Sequence, residues 1–148
     1  MQRRRYLKYM SALVGGLLLS GLSKSAAASV AKIRFRDLYK RGTTFSSQAL
    51  NLNGDRVKIR GYMAPPLRAE ANFFVLTRLP MSVCPFCEEE ADWPDDIALV
   101  YVRDRLSVVP WNYPIEVTGS LALGTKTDRD TGFVSRVRLE RARYQKAF

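Results

Sequence analysis

The 148-residue chain contains no histidine. That one absence removes the Ser–His–Asp triad, the imidazole general base and the nitrogen ligands of most zinc sites. Cysteine occurs twice, at positions 84 and 87, so any thiol chemistry is confined to one short stretch. No glycine-rich phosphate loop is present, and no carboxylates are spaced to converge as an acid–base pair. An ordinary hydrolase is therefore not the expectation, and no catalytic residue is assigned. The longest apolar run, Ala12–Leu22, is about half the ~20 residues a helix needs to cross a bilayer.

The N-terminus, MQRRRYLKYMSALVGGLLLSGLSKSAAAS, is basic at its start, apolar in its middle and small-residue at its end. Ala26 and Ala28 suit the two small pockets of a signal peptidase, which places cleavage before Ser29. The stretch QRRRYLKY resembles the twin-arginine signal: Arg3 and Arg4 form the pair, Arg5 is the spacer, and Tyr6, Leu7 and Lys8 follow. Gln2 and Tyr6 depart from the usual Ser or Thr and Phe. The resemblance implies export of a folded protein to the periplasm, with membrane contact only through the signal. The expected organisation is a signal peptide over 1–28 and one domain over 29–148.

Of the 24 basic residues, five lie in residues 1–28 and no acid does, so residues 29–148 carry nineteen basic against fourteen acidic residues, a net charge of +5. An excess of that size favours an anionic envelope component and is too small to argue for nucleic acid. One modest core is what 120 residues can bury.

Residues 29–42 set Val30, Ile33, Phe35 and Leu38 among five basic side chains, an ambiguous pattern that reads as a short amphipathic segment packed on the core. Residues 46–54 read as a helical turn ending at Asn53–Gly54. Strands follow. Residues 55–63 alternate, with Val57, Ile59, Gly61 and Met63 on one side, and Pro65 and Pro66 end them. Residues 72–78 and 97–102 are short apolar runs rich in β-formers. Residues 115–123 alternate with Ile115, Val117, Gly119, Leu121 and Leu123 inward, and 132–144 alternate again. Glycine inside two of the strands suits the corners of a small barrel. The expected fold is mainly β, a five-stranded OB-like barrel with short peripheral helices, with a small sandwich as the alternative.

The series LNGDRVKIRGYMAPP, FFVLTR, the cysteine stretch and IEVTGSLALG resembles a family of exported bacterial proteins of unknown function. Its members share a V-x-I-x-G-Y-M-x-P strand, an F-x-L strand and a downstream cysteine, and the resemblance runs from about Leu50 to Leu139. It implies an OB-like fold and an envelope location and brings no catalytic residues.

Between Arg78 and Ile97 lie 18 residues without a regular element, and connections this long are often functional. They contain Met81 and the run CPFCEEEAD. Three readings stand. A Cys84–Cys87 disulfide closes a ring worth only about 2 kcal/mol. A redox pair fits the C-x-x-C spacing, with Pro85 suited to a helix start. Against it, Glu88, Glu89, Glu90 and Asp92 raise thiol pKa values, and a thioredoxin-like βαβ pattern is missing. A metal site uses the same acids as an attraction: two thiolates can hold zinc or copper, with further ligands from Glu88, Glu90, Asp92 or the Met81 thioether, or from a second protomer in a homodimer. Covalent haem is excluded because Glu88 stands where C-x-x-C-H needs histidine. Metal binding leads, because export in the folded state allows loading before oxidation.

Lys58, Arg60 and Tyr62 share one strand face, and Arg136 and Arg138 share another. They read as a solvated face or, in an OB barrel, as a binding face. The sequence thus points to an exported envelope binding or accessory protein, whose partner is an envelope protein or an anionic component, with a thiol–disulfide protein as the alternative.

Overall fold

A computed structural model of the chain describes residues 29–66, 72–82 and 94–148. Its elements in order are β1 (Ala31–Lys32), α1 (Phe35–Leu38), β2 (Tyr39–Arg41), β3 (Thr44–Phe45), α2 (Ser47–Asn51), β4 (Arg56–Met63), β5 (Phe73–Thr77), β6 (Ile97–Val102), β7 (Pro114–Thr127) and β8 (Val134–Lys146). The protein is mainly β. Neither described helix is long or apolar enough to cross a membrane.

Five strands pair in a ring. β4 pairs antiparallel with β5, β5 with β6, β7 with β8, and β7 returns to β4; β6 and β8 run parallel. The β4–β7 ladder is long, from Arg56↔Ser120 to Tyr62↔Pro114. The β4–β5 ladder is only Tyr62↔Thr77 and Met63↔Leu76. β1 lies parallel on the same edge of β4, at Ala31↔Val57 and Lys32↔Lys58. β2 and β3 form a separate hairpin.

The period-2 pattern places Val57, Ile59 and Met63 of β4 and Ile115, Val117 and Leu121 of β7 inside the ring, all fully or almost fully buried. Phe74, Leu76, Ala98, Val100, Val137, Leu139 and Ala142 join them. Ile33, Phe35 and Leu38 from the N-terminal segment and Ala49 of α2 belong to the same core, so the amphipathic segment packs as expected, apart from Val30, which is exposed. A second apolar cluster lies on the opposite face of β5 and β6: Phe73, Val75, Ile97 and Leu99, with Ala64 and, at its margin, Tyr101 and Phe133. That is why these two strands read as continuous apolar runs: both faces are covered.

Turn chemistry fixes the entry to β4. Ser46 Oγ accepts from Ala49 N–H at 3.0 Å and caps α2. Gly54, at φ +93°, takes a left-handed conformation that glycine adopts freely, and its N–H donates to Leu121 O at 2.7 Å. The strand glycines serve close approach instead. A Cβ on Gly61 would stand 2.5 Å from Thr77 O, and one on Gly119 would stand 3.0 Å from Ala142 Cβ.

Candidate anion-binding cleft

The N-terminal segment and the strand ring enclose a cleft of about 710 Å³. Its cations are Arg34 and Arg36 at α1, Lys40 and Arg41 on β2, Arg60 on β4 and Arg78 just after β5; its carboxylates are Asp95 and Asp96. Phe35, Tyr39 and Tyr62 contribute aromatic wall. Among the described residues, six positive side chains against two negative ones leave the cleft wall net basic, and a concave wall concentrates such a field.

Some of these charges are already engaged. Arg34 Nε donates to Asp37 Oδ2 at 2.7 Å and its Nη2 donates to Asp37 Oδ1 at 3.2 Å. This fork holds the Asp37 carboxyl below the usual carboxylate range and the guanidinium above its own. Arg36 lies 3.9 Å from Asp37, and Arg78 lies 3.9 Å from Asp96. Lys40, Arg41 and Arg60 are exposed and form no salt bridge among the described residues. Arg60 stands opposite Glu116 of β7 and helps to lower its pKa, so Lys40 and Arg41 are the charges most available to a ligand.

The basic strand residues that look equivalent in sequence have separate fates. Lys58 Nζ lies 2.8 Å from Glu116 Oε1, and that bond leads the lowering of the Glu116 pKa. Arg60 and Tyr62 line the cleft. Arg136 lies over the Phe45 ring at 5.2 Å and donates to Thr43 O at 2.7 Å, tying the β2–β3 hairpin to β8. Arg138 is 6 % exposed. It donates to Gly124 O at 2.7 Å, and its Nε lies 3.9 Å from Glu140 Oε1 with no hydrogen-bond partner among the described residues. Burial holds its pKa below the ordinary arginine value, with Glu140 opposing. The proposed shared basic face is thus not continuous.

A second depression, about 780 Å³, lies between β6 and the β7–β8 end of the ring. Its wall carries Arg103, Lys126, Arg129 and Arg141 against Asp128, Asp130 and Glu140, so its charge is nearly balanced. Tyr101 Oη donates to Asp128 Oδ2 at 2.7 Å. Burial, then this bond, raises the Tyr101 pKa; the same bond leads the lowering of the Asp128 pKa.

Cys84, Cys87, Glu88, Glu90 and Asp92 lie outside the described residues, as do Arg3, Arg4, Ala26 and Ala28 of the N-terminus. Met81 is described and half-buried. Among the described residues, no three His, Cys, Asp or Glu side chains converge as metal ligands. The cleft itself was missed by sequence reasoning for Arg34, Arg36, Lys40 and Arg41. Their one signal is density: five basic residues in fourteen positions interleaved with buried Ile33, Phe35 and Leu38.

No family model matches the chain, and no curated protein matches it. Among solved structures, a DUF3299 family protein from Pseudomonas aeruginosa PAO1, of an uncharacterised family, is similar to it with a TM-score of 0.51 at 13% sequence identity. The similarity covers 81% of this chain and 97% of that one. At that identity it speaks for the fold alone.

Proposed function

We propose that this is an exported binding protein of the bacterial envelope, an OB-like barrel whose basic cleft takes an anionic envelope component. For the barrel, the support is the ring of pairings. Numbered from β4, the strands run first–second–third–fifth–fourth and back to the first, with third and fifth parallel, a five-strand ring that supports the OB-like reading. For export, the support is the N-terminal sequence. The observation that carries the binding role is the cleft: among the described residues, six cations line it against two carboxylates, and three of the cations have no salt-bridge partner.

Matched polymers test it. The mature domain, residues 29–148, is titrated with dextran and with dextran sulfate at low and high salt. Binding of the sulfate alone, falling steeply with salt, is the expected result. Equal binding of both polymers, or binding indifferent to salt, contradicts it.

The metal proposal for Cys84 and Cys87 accompanies this reading and rests on the sequence alone. Mature protein isolated from the periplasm is assayed for bound metal and free thiols together. Near-stoichiometric zinc or copper with two free thiols supports it. A metal-free protein with a readily cycled disulfide supports the thiol–disulfide alternative, and an inert disulfide removes both.

A further inference from the structure

The cleft opens onto a gap in the sheet. Ile33 N–H donates to Lys58 O at 3.0 Å, so Lys58 directs its backbone groups to the β1 side of β4. Backbone direction alternates along a strand, so Arg60 and Tyr62 direct theirs the same way. Tyr62 meets β5, at Thr77. Arg60 lies between: the β1 register ends at Lys58 and the β5 register begins at Tyr62. The Arg60 N–H and C=O therefore face the cleft without a partner strand among the described residues. From Lys58 to Tyr62 is four residue steps, about 13 Å at ~3.3 Å per residue, room for two or three residues of an extended chain.

A partnerless stretch of strand edge is a template for main-chain pairing. This one presents a donor and an acceptor together, and the charges around it select what pairs. Lys40, Arg41 and the Arg60 guanidinium ask for anions. A pure polyanion would use the Arg60 N–H and leave the C=O unmatched, and Asp95 and Asp96 of the cleft wall would repel it. An acidic peptide satisfies all of these groups. Its amides exchange hydrogen bonds with Arg60, its carboxylates meet the cations, and its remaining N–H groups face the aspartates.

We propose that the ligand of this cleft is an extended acidic peptide segment, which adds to the edge of β4 at Arg60. The inference rests on the cleft being the binding site, and it goes beyond that reading in naming the ligand's chemistry.

Three probes of similar charge test it on the mature protein at low ionic strength: acetyl-tetraglutamate amide, the same peptide N-methylated at its two central amides, and tripolyphosphate. The unmodified peptide is expected to bind about tenfold tighter than tripolyphosphate, and N-methylation, which leaves charge intact, is expected to cost about tenfold, the scale of one lost hydrogen bond. Tripolyphosphate binding as tightly as the peptide, or an N-methylated peptide binding undiminished, overturns the peptide inference and leaves an anion cleft. No binding of any probe overturns the inference and the cleft reading together.

Discussion

Replacing Gly61 by alanine puts a methyl group where strands β4 and β5 touch most closely. The new Cβ would stand 2.5 Å from Thr77 O and 3.1 Å from two Leu76 side-chain atoms. The oxygen belongs to the backbone of a fully buried residue, and Thr77 Oγ1 is itself bonded to Leu79 O at 2.7 Å, so neither strand yields cheaply. Overpacking of this kind costs about 1–3 kcal/mol. The substitution also stiffens the unfolded chain, which offsets about 0.4–1 kcal/mol. The net loss is about 1–2 kcal/mol, or roughly 3–10 °C in melting temperature for a domain of this size. Because β4 and β5 share only two register pairs, the same change should loosen the edge beside Arg60. Thermal unfolding of the mature domain followed by circular dichroism reads the loss. Gly119→Ala is the comparison: its nearest contacts are 3.0 Å and 3.1 Å, so it should cost less. A Gly61→Ala domain melting at or above the parent refutes the close-approach argument.

Other consequences are as direct. Leu139→Ala removes a fully buried side chain from the centre of the ring and should cost about 2–5 kcal/mol, read from urea midpoints. Asp128 has its carboxyl held below the ordinary range, chiefly by the Tyr101 hydroxyl. A depressed carboxyl stabilises the fold fully above the unfolded value of about 3.9 and loses that contribution as pH falls through the folded value. Asp128→Asn should therefore be less stable than the parent at pH 7, with the difference shrinking at about pH 3; a difference constant over that range speaks against the Tyr101–Asp128 bond as its source. Changing Arg3 and Arg4 to lysine should trap the protein in the cytoplasm, as fractionation would show, and unchanged export would remove the twin-arginine reading.

The strands were legible because all five ring strands carry the period-2 signal or a short β-rich run at the places where they form. β7 and β8 extend beyond the alternating stretches, to Thr127 and Lys146, because each continues as partner of the other at both ends of their ladder. The first elements were not legible in detail. β1, α1, β2 and β3 are two to four residues each, too short for any periodicity, and they are set by packing of Ile33, Phe35 and Leu38 on a core built later in the chain. Arg138 defeats simple alternation: Val137, Arg138 and Leu139 are all buried, since the outer face of β8 is covered there as well. The cleft was invisible for a related reason. Arg34, Arg36, Lys40 and Arg41 read as the basic side of a short amphipathic segment, and only the return of the chain along β4 and β5 brings Arg60 and Arg78 into the same cleft wall. Adjacency of that kind comes from topology, which spacing along the sequence does not encode.

The central claim is that anions bind because of the cleft rather than because the protein is basic. Two charge-matched variants separate these causes. Lys40→Glu with Arg41→Glu reverses two charges in the cleft, and Arg103→Glu with Arg129→Glu reverses two in the nearly balanced depression beyond β6. All four side chains are exposed and form no salt bridge among the described residues, so both variants should fold. With dextran sulfate as ligand at low salt, the cleft variant is predicted to lose about tenfold or more in affinity and the other less than about threefold. Equal losses in the two variants would show that net charge alone drives binding and would contradict the account.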